Sequence, residues 1–305
     1  MKRNIFFLAS LFVVGLCITA CGDDDNKDGN TSDRGGSAAT VDGKRLVQMI
    51  EDDDTVSYEY NSEGKIVMLL YGSDGREKWY YSYNDNQITV SSSYSYSSSS
   101  TYTVENGRIT KEILSNGSGS DNSVYNYEYD SDGHLIAVRY SSNRTSPATY
   151  EHGTSYEYST TNNTIFTWQD GNMIKSVEEY ISTTTTKSWT STTSSTYPYT
   201  TTWTPKTETS TSKSSTVKEY TYTNYDNVLP LFSEVDDVLS WQGYFGKSSK
   251  NLPQKMEKTS TSSGGSSSTR IYTYDYTFTG DVVTKMIETK TGSSSSVDKY
   301  TFTWE

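Results

Sequence analysis

The chain is poor in the residues that most reactions and most metal sites need. Among 305 residues there are two cysteines and two histidines. Cys17 and Cys21 both lie near the start, so the body of the chain has no thiol for a disulfide, a metal or a nucleophile. His134 and His152 stand apart with no cysteine between them, which makes a poor metal site. Positive charge is scarce as well: 26 Lys and Arg face 38 Asp and Glu, for a net charge of −12. That balance excludes nucleic acid as a partner and simple electrostatic docking on an anionic membrane. No serine has a Gly-x-Ser-x-Gly context to anchor a hydrolase triad. Gly246-Lys247-Ser248 copies only the end of a phosphate-binding loop, since the required earlier glycine falls at Trp241. Asp52-Asp53-Asp54 and Asp236-Asp237 read as adjacent, solvated carboxylates. Asp23, Asp24 and Asp25 lack the spacing and distal glutamate of a calcium loop. No catalytic residue, metal or cofactor is expected, and the chain is not expected to be an enzyme.

Apolar residues are also few, at 32%, and mean hydropathy is −0.72. Roughly 30% of the chain is Ser or Thr. Such polarity often accompanies disorder, but disordered segments are poor in aromatic and β-branched residues. The 27 tyrosines and the abundant threonine are instead a β-sheet composition.

One apolar run exists, at the start. Lys2 and Arg3 precede Ile5 to Leu16, and Thr19-Ala20 then lead into Cys21. This order resembles a bacterial lipoprotein signal. The resemblance implies that residues 1–20 are removed and that Cys21 is acylated, anchoring the chain in outer-membrane lipid. Loss of Lys2 and Arg3 leaves the remainder two units more negative. Residues 21–43 read as an acidic Gly/Ser/Asp tether. Its Asp23, Asp24 and Asp25 resemble the export signal that carries lipoproteins of some Gram-negative gut bacteria to the exterior. The expected location is therefore the outer membrane, lipid-anchored and facing outward.

Residues 44–305 read as a single antiparallel β domain built on a repeat. Tyr58-Glu59-Tyr60 leads through Asn61-Ser62-Glu63-Gly64 to Lys65-Ile66-Val67-Met68-Leu69. Tyr125 to Tyr129 leads through Asp130-Ser131-Asp132-Gly133 to His134-Leu135-Ile136-Ala137-Val138. Weaker copies turn at Asn84-Asp85-Asn86, Glu105-Asn106-Gly107, Gln169-Asp170-Gly171 and Thr279-Gly280-Asp281. Asn and Asp bond their own backbone and Gly accepts positive φ, so each copy predicts a hairpin closed by a bulge. Alternation is sharp: Tyr272, Tyr274, Tyr276 and Phe278 share one face, with Thr273, Asp275, Thr277 and Thr279 opposite. The sum is an all-β fold: a large, curved antiparallel meander of hairpins, porin-like or a half-barrel.

One short helical insert is predicted near 230–242, with Leu231, Val235 and Val238 at helical spacing, Ser233 as N-cap and Gly243 as the stop. Ser91–Ser100, Ser182–Ser215 and Thr259–Thr269 read as flexible Ser/Thr loops. Within the second, Tyr197, Tyr199, Thr201 and Trp203 still alternate, which predicts protruding edge strands with a floppy tip. Pro198 and Pro205 are tolerated only at edges or bulges.

These alternating strands, the helical insert, and Gly246-Lys247-Ser248-Ser249-Lys250-Asn251-Leu252-Pro253 ahead of Tyr272-Thr273-Tyr274 resemble an uncharacterised bacterial surface lipoprotein family, a domain of unknown function with a porin-like fold. The Tyr-x-Tyr-Asp-x-x-Gly units also resemble the YD repeats of bacterial surface toxins and wall proteins. Neither resemblance implies a catalytic residue. The remaining chemical reserve is aromatic: Trp189, Tyr197, Tyr199 and Trp203 lie in polar, edge-like sequence where their rings could stack on sugars or on a protein. The expectation is a binding or display module for a glycan or a host protein. A surface-coat component without a ligand site, and an integral outer-membrane β-barrel, are the competing readings.

Overall fold

The computed structural model describes residues 40–41, 43–72, 75–93, 99–115, 122–149, 151–227, 235–292 and 294–305. Cys21, Asp23, Asp24, Asp25 and the expected N-cap Ser233 lie outside these residues. Seventeen strands and one helix occur among them. The first, β1 (Thr40–Val41), pairs with the start of β2 (Lys44–Glu51), so the end of the expected tether is held to the domain. A meander follows through β3 (Asp54–Tyr60), β4 (Ile66–Tyr71), β5 (Glu77–Asn84), β6 (Gln87–Ser92), β7 (Ser99–Glu105), β8 (Arg108–Ser115) and β9 (Asn122–Tyr129). It continues through β10 (Leu135–Ser146), β11 (Ser155–Gln169), β12 (Asn172–Thr193) and β13 (Thr201–Asp226). After the helix α1 (Asp237–Trp241) come β14 (Asn251–Thr261), β15 (Ser267–Thr279), β16 (Val282–Thr291) and β17 (Ser296–Trp304).

Each strand from β2 to β17 lies antiparallel to the next, and β17 returns to β2 with Phe302 opposite Met49. The half-barrel expectation is thereby corrected: sixteen strands form a closed barrel. An even number lets the first and last strands meet antiparallel, and closure removes the unpaired edges that an open sheet exposes.

A single contact recurs around the ring. Near the end of most odd-numbered strands an inward aromatic donates a hydrogen bond to a backbone carbonyl at the start of the preceding even strand. Tyr60 Oη reaches Leu46 O at 2.6 Å, Tyr83 reaches Ile66 at 2.7 Å, and Tyr129 reaches Ile109 at 2.7 Å. Trp168 Nε1 reaches Leu135 O at 2.8 Å, Tyr222 reaches Met173 at 2.5 Å, Tyr276 reaches Pro253 at 2.7 Å, and Trp304 reaches Val283 at 2.8 Å. Seven of the eight odd strands carry this anchor; β7 has Val104 in the corresponding place. Burial pushes the anchoring phenols upward, Tyr222 to about 12, so they stay donors at any pH the fold survives. Four anchor rings are also covered by the cationic or imidazole side chain just before the anchored residue. Arg45 lies 5.5 Å over Tyr60, Lys65 5.4 Å over Tyr83 and Arg108 5.6 Å over Tyr129, while His134 stacks on Trp168 at 4.5 Å.

The turns beside these anchors are those the sequence predicts. Asn106-Gly107 and Asp170-Gly171 have positive φ at both residues, as a type I′ hairpin requires. Asn61 Oδ1 accepts from the amides of Glu63 and Lys65, and Asp130 Oδ1 accepts from His134 N at 2.8 Å, so the two Tyr-x-Tyr units turn alike. Register shifts mark a bulge next to Tyr60, Val104, Leu135, Trp168, Tyr222, Phe278 and Trp304.

The link between β13 and β14 plugs this end. The helix is shorter than predicted, five residues capped by Asp236. Gly243 does stop it, at φ 76°, with Tyr244 N bonded to Leu239 O and Gly243 N to Ser240 O, a Schellman closure. Val238, Leu239, Trp241, Tyr244 and Phe245 are all buried. Trp241 meets Tyr58 edge-on at 5.5 Å, and Phe245 packs on Tyr127 at 4.9 Å. The phosphate-loop look-alike proves to be the exit strap: Lys247 N donates to Gly133 O at 2.9 Å, and Ser249 Oγ accepts from Met173 N. Gly246 is required here, because a Cβ would sit 2.2 Å from Gly133 O. Asp236 is not a solvated surface acid as expected. Its Oδ1 accepts from Leu239 N at 2.9 Å beside Tyr81 Oη, and burial pushes its pKa up to about 7.

The outer face is polar. Residues opposite one another across a ladder share a face, so Lys111, Arg139, Lys175, Lys255, Lys285 and Lys299 point away from the core on six different strands. Arg139–Glu128 and Lys175–Glu219 ion pairs cross between strands on that face. Exposed Tyr80, Ile165, Ile287 and Val297 are scattered among them.

Two outcomes follow. Tyr129→Phe removes one anchor and should lower unfolding stability by about 1–2 kcal/mol, whereas outward Tyr80→Phe should change it by less than about 0.5 kcal/mol; urea titration distinguishes them. Asp236 binds its proton more tightly folded than unfolded, so stability should fall by about 2 kcal/mol between pH 5 and 8 at constant ionic strength. Asp236→Asn, which keeps a cap acceptor, should flatten that slope in the same titration.

Candidate functional site

The turns that follow odd strands, both chain ends of the barrel and the plug lie together, so the opposite end is free of the insert. There β10 to β15 run past the barrel rim, and β12 and β13 reach 22 and 26 residues. Threonine makes this extension possible. Branched at Cβ, it favours extended backbone, and its hydroxyls pair across strands at Thr183–Thr211 (3.2 Å), Thr185–Thr209 (3.3 Å) and Thr193–Thr201 (3.1 Å). Thr259–Thr269, expected as a loop, is likewise strand for most of its length, closed by a turn in which Gly265 N bonds Ser262 O.

The four aromatics singled out from sequence fall into two groups. Trp189 and Trp203 lie on the outward face of the β12–β13 extension, 40% and 43% exposed. Both meet His152 from the β10–β11 loop: Trp203 stacks on it at 4.6 Å and Trp189 meets it edge-on at 4.9 Å. Tyr197 and Tyr199 sit at the tip, 88% and 70% exposed, 6.3 Å apart and perpendicular. The tip has a defined turn, with Ser194 N donating to Thr200 O at 2.9 Å and Ser194 Oγ accepting from Thr200 N at 3.2 Å. Beyond the pairing of Ser215 with Thr261, no strand among the described residues pairs with β13 on its β14 side, so Pro205 sits in an edge stretch as expected.

The inner wall of this end was not foreseen. Above the buried aromatics, inward side chains become polar and solvent-facing, forming a mouth. Ser142, Arg144, Ser146, Tyr158 and Thr160 line a cavity of about 350 Å³ on β10 and β11. Tyr156 and Tyr158 stack at 6.0 Å with both rings partly open to solvent. Deeper, Tyr140 packs on Tyr125 at 4.7 Å, and Asn162 Nδ2 donates to Glu178 at 2.6 Å. Lys218, Lys258 and Arg270 stand directly opposite one another on β13, β14 and β15. Lys290 lies one step nearer the plug, beside Tyr272, and bonds both Glu288 (3.0 Å) and Asp298. Against its burial, those carboxylates hold Lys290 above its ordinary value. Burial also outweighs Lys290 in pushing Glu288 upward. No sequence motif marks these cations, because the register alone puts them side by side.

Asp130, Asp132 and His134 bring three ligand-type atoms within 4.8 Å at the plugged end. Both oxygens of Asp130 are already engaged by His134, through its amide and its Nδ1 at 3.0 Å. Against burial, those bonds hold Asp130 below the usual carboxylate range. The equivalent Asn61 turn forms without any histidine, so the cluster is a turn lock. His134 faces Trp168 and is mostly buried.

No protein-family model matches the chain, and neither does any curated protein. Among solved structures, a porin-like protein from Bacteroides vulgatus ATCC 8482 is similar at 12% identity and TM-score 0.49, across 85% of this chain and 98% of that one. A porin-like protein from Bacteroides uniformis ATCC 8492 is similar at 14% identity and TM-score 0.49, with the same coverage. The barrel itself stands on the strand pairings.

The His152 cluster ties the β10–β11 loop to the extension. Trp203→Ala should therefore speed amide exchange in residues 147–154 while leaving the global melting temperature within a few degrees.

Proposed function

We propose that the chain is a lipid-anchored binding module displayed at the outer membrane, held by an acyl chain on Cys21 and presenting its mouth and aromatic tip to a glycan or protein ligand. The observation that carries this reading is the polarity of the barrel. A membrane-spanning barrel turns apolar side chains outward and polar ones inward. Here the core aromatics are inside, and ion pairs such as Arg139–Glu128 and Lys175–Glu219 decorate the outside. A lipid-facing Lys or Arg near the bilayer midplane costs about 2–4 kcal/mol, and outward cations occur on six strands. Such a barrel suits water, and an acyl chain is then the natural means of holding it at an envelope. The buried insert with Trp241 and Phe245 occupies one end of the barrel, so the other end is where a partner would meet the chain. Tyr197 and Tyr199 offer flat, exposed rings at the tip of a strand-paired extension, the kind of surface that stacks on sugars or on side chains.

Cys21→Ala should release the protein from membranes into buffer without detergent, while the unaltered chain stays with the membrane fraction. Retention of the variant would favour the integral barrel instead. On a glycan array and in pull-downs, Tyr197→Ala/Tyr199→Ala should lose at least tenfold in binding. Absence of any ligand, with envelope damage on deletion of the protein, would favour a coat component.

A further inference from the structure

We infer that the open edge of β13 pairs with the same edge of a second copy of this chain, antiparallel about a two-fold axis at Thr207; this rests on the binding reading above and names its protein ligand. From Thr201 to Ser214 β13 is exposed and laddered to β12 on one side, while no strand among the described residues pairs with it on the other. The direction of its backbone groups follows from the tip. Ser194 N donates to Thr200 O, and the β12–β13 register runs without a shift from Thr201 to Glu219, so even-numbered residues bond β12. Odd-numbered residues from Thr201 to Lys213 therefore aim their N–H and C=O groups at the open side. Pro205 is one of them, and its missing donor falls on that side. A long edge of this kind is a template for another strand, and native edges are commonly blunted by bulges or by charge. This stretch has no bulge, and Lys206 is balanced by Glu208 on its own strand.

Charge and length select a second copy and one register. With the axis at Thr207, Lys206 of each copy faces Glu208 of the other, and the two intrastrand pairs join into one alternating network. Trp203 faces Thr211 and Thr201 faces Lys213, so the open stretch is used from end to end. Opposite charges and aromatic–threonine pairs across strands stabilise an antiparallel sheet. Moving the axis one residue either way sets Lys206 against Lys206 or Glu208 against Glu208, which disfavours the neighbouring registers. Pro205 faces Thr209 and forfeits one bond of that pair. The overlap takes about half of the 26 residues of β13, more than the roughly five or six of an ordinary strand. It ends where Ser215 pairs with Thr261, which brings the tip of one copy up to the Ser262–Ser266 turn of the other. Because β13 runs from tip to barrel, antiparallel pairing sets the two barrels at opposite ends with their plugged ends apart. On the anchor reading, such a pair joins chains held in two facing membranes.

The test uses the full chain carrying Cys17→Ser and Cys21→Ala, which removes both thiols. Sedimentation at about 0.15 M salt, where the net negative charge of each copy is screened beyond roughly 8 Å, should show a dimer that forms reversibly with concentration. Lys206→Glu or Glu208→Lys should weaken it at least tenfold by setting like charges face to face, and the double swap Lys206→Glu/Glu208→Lys should restore it to within about threefold. Both side chains are largely exposed, so melting of the monomer should move by less than about 2 °C. On oxidation, Thr207→Cys should cross-link to its own counterpart, because facing residues of a bonded pair lie about 5.5 Å apart between Cα atoms. Thr211→Cys, about 26 Å from its counterpart in this register, should not. A chain that stays monomeric, a dimer indifferent to the charge changes, or equal cross-linking through Thr207→Cys and Thr211→Cys would overturn the inference. A monomer that still binds a glycan would overturn the pairing and leave the proposed function standing. Pairing that persists while Cys21→Ala stays with membranes would uphold the edge and remove only the anchor reading.

Discussion

The fold depends on one buried hydrogen bond repeated around a ring. In seven of the eight hairpins an aromatic side chain reaches back to a backbone carbonyl near the start of the preceding strand. A bulge beside each anchor bends the strand, and bending is what lets the sheet close. The phenol or indole donates to the carbonyl of the residue that flanks the register shift. A buried carbonyl left bare costs about 1–3 kcal/mol, so the tyrosines are structural before they are anything else. Five of the 27 tyrosines serve in this way, and others such as Tyr58, Tyr102 and Tyr127 are packed in the core.

This tier divides the barrel in two. On its plugged side, Leu46, Ile66, Ile88, Ile109, Leu252 and Val283 are fully buried, and the insert fills what remains. Its other side is wet, lined by hydroxyls and charges, and continued outward by threonine-laddered strands. The extension can be long because threonine favours extended backbone and its hydroxyls link neighbouring strands, so it needs no apolar core of its own. One molecule thus holds a dry core that sets its shape and a polar rim free to vary in chemistry.

Much of this was legible in the residues. Tyr-x-Tyr, a turn with Asn, Asp or Gly, and then an aliphatic residue announce a hairpin, and the hairpins form where expected. The basic residue before the aliphatic, as in Arg45-Leu46, Lys65-Ile66 and Arg108-Ile109, is a further signal that only the structure explains, as the lid of an anchor ring. Closure could not be read, because strand β17 meets β2 across the whole chain length. Asp236 looked solvated because its neighbour is another acid, and a sequence cannot show that the cap lies inside a barrel. Trp189, Trp203, Tyr197 and Tyr199 do lie on an exposed extension, yet His152 claims the two tryptophans. Lys218, Lys258 and Arg270 are 40 and 12 residues apart in sequence and become neighbours only through register.

The central claim is that aromatics fill the inside of a barrel whose outside belongs in water. Refolding the chain from denaturant without detergent or lipid, followed by near-ultraviolet circular dichroism, tests it most directly. The account predicts a monodisperse protein with a strong, cooperatively lost tyrosine and tryptophan signal in buffer alone. A chain that gains that signal only when micelles or vesicles are added would contradict it.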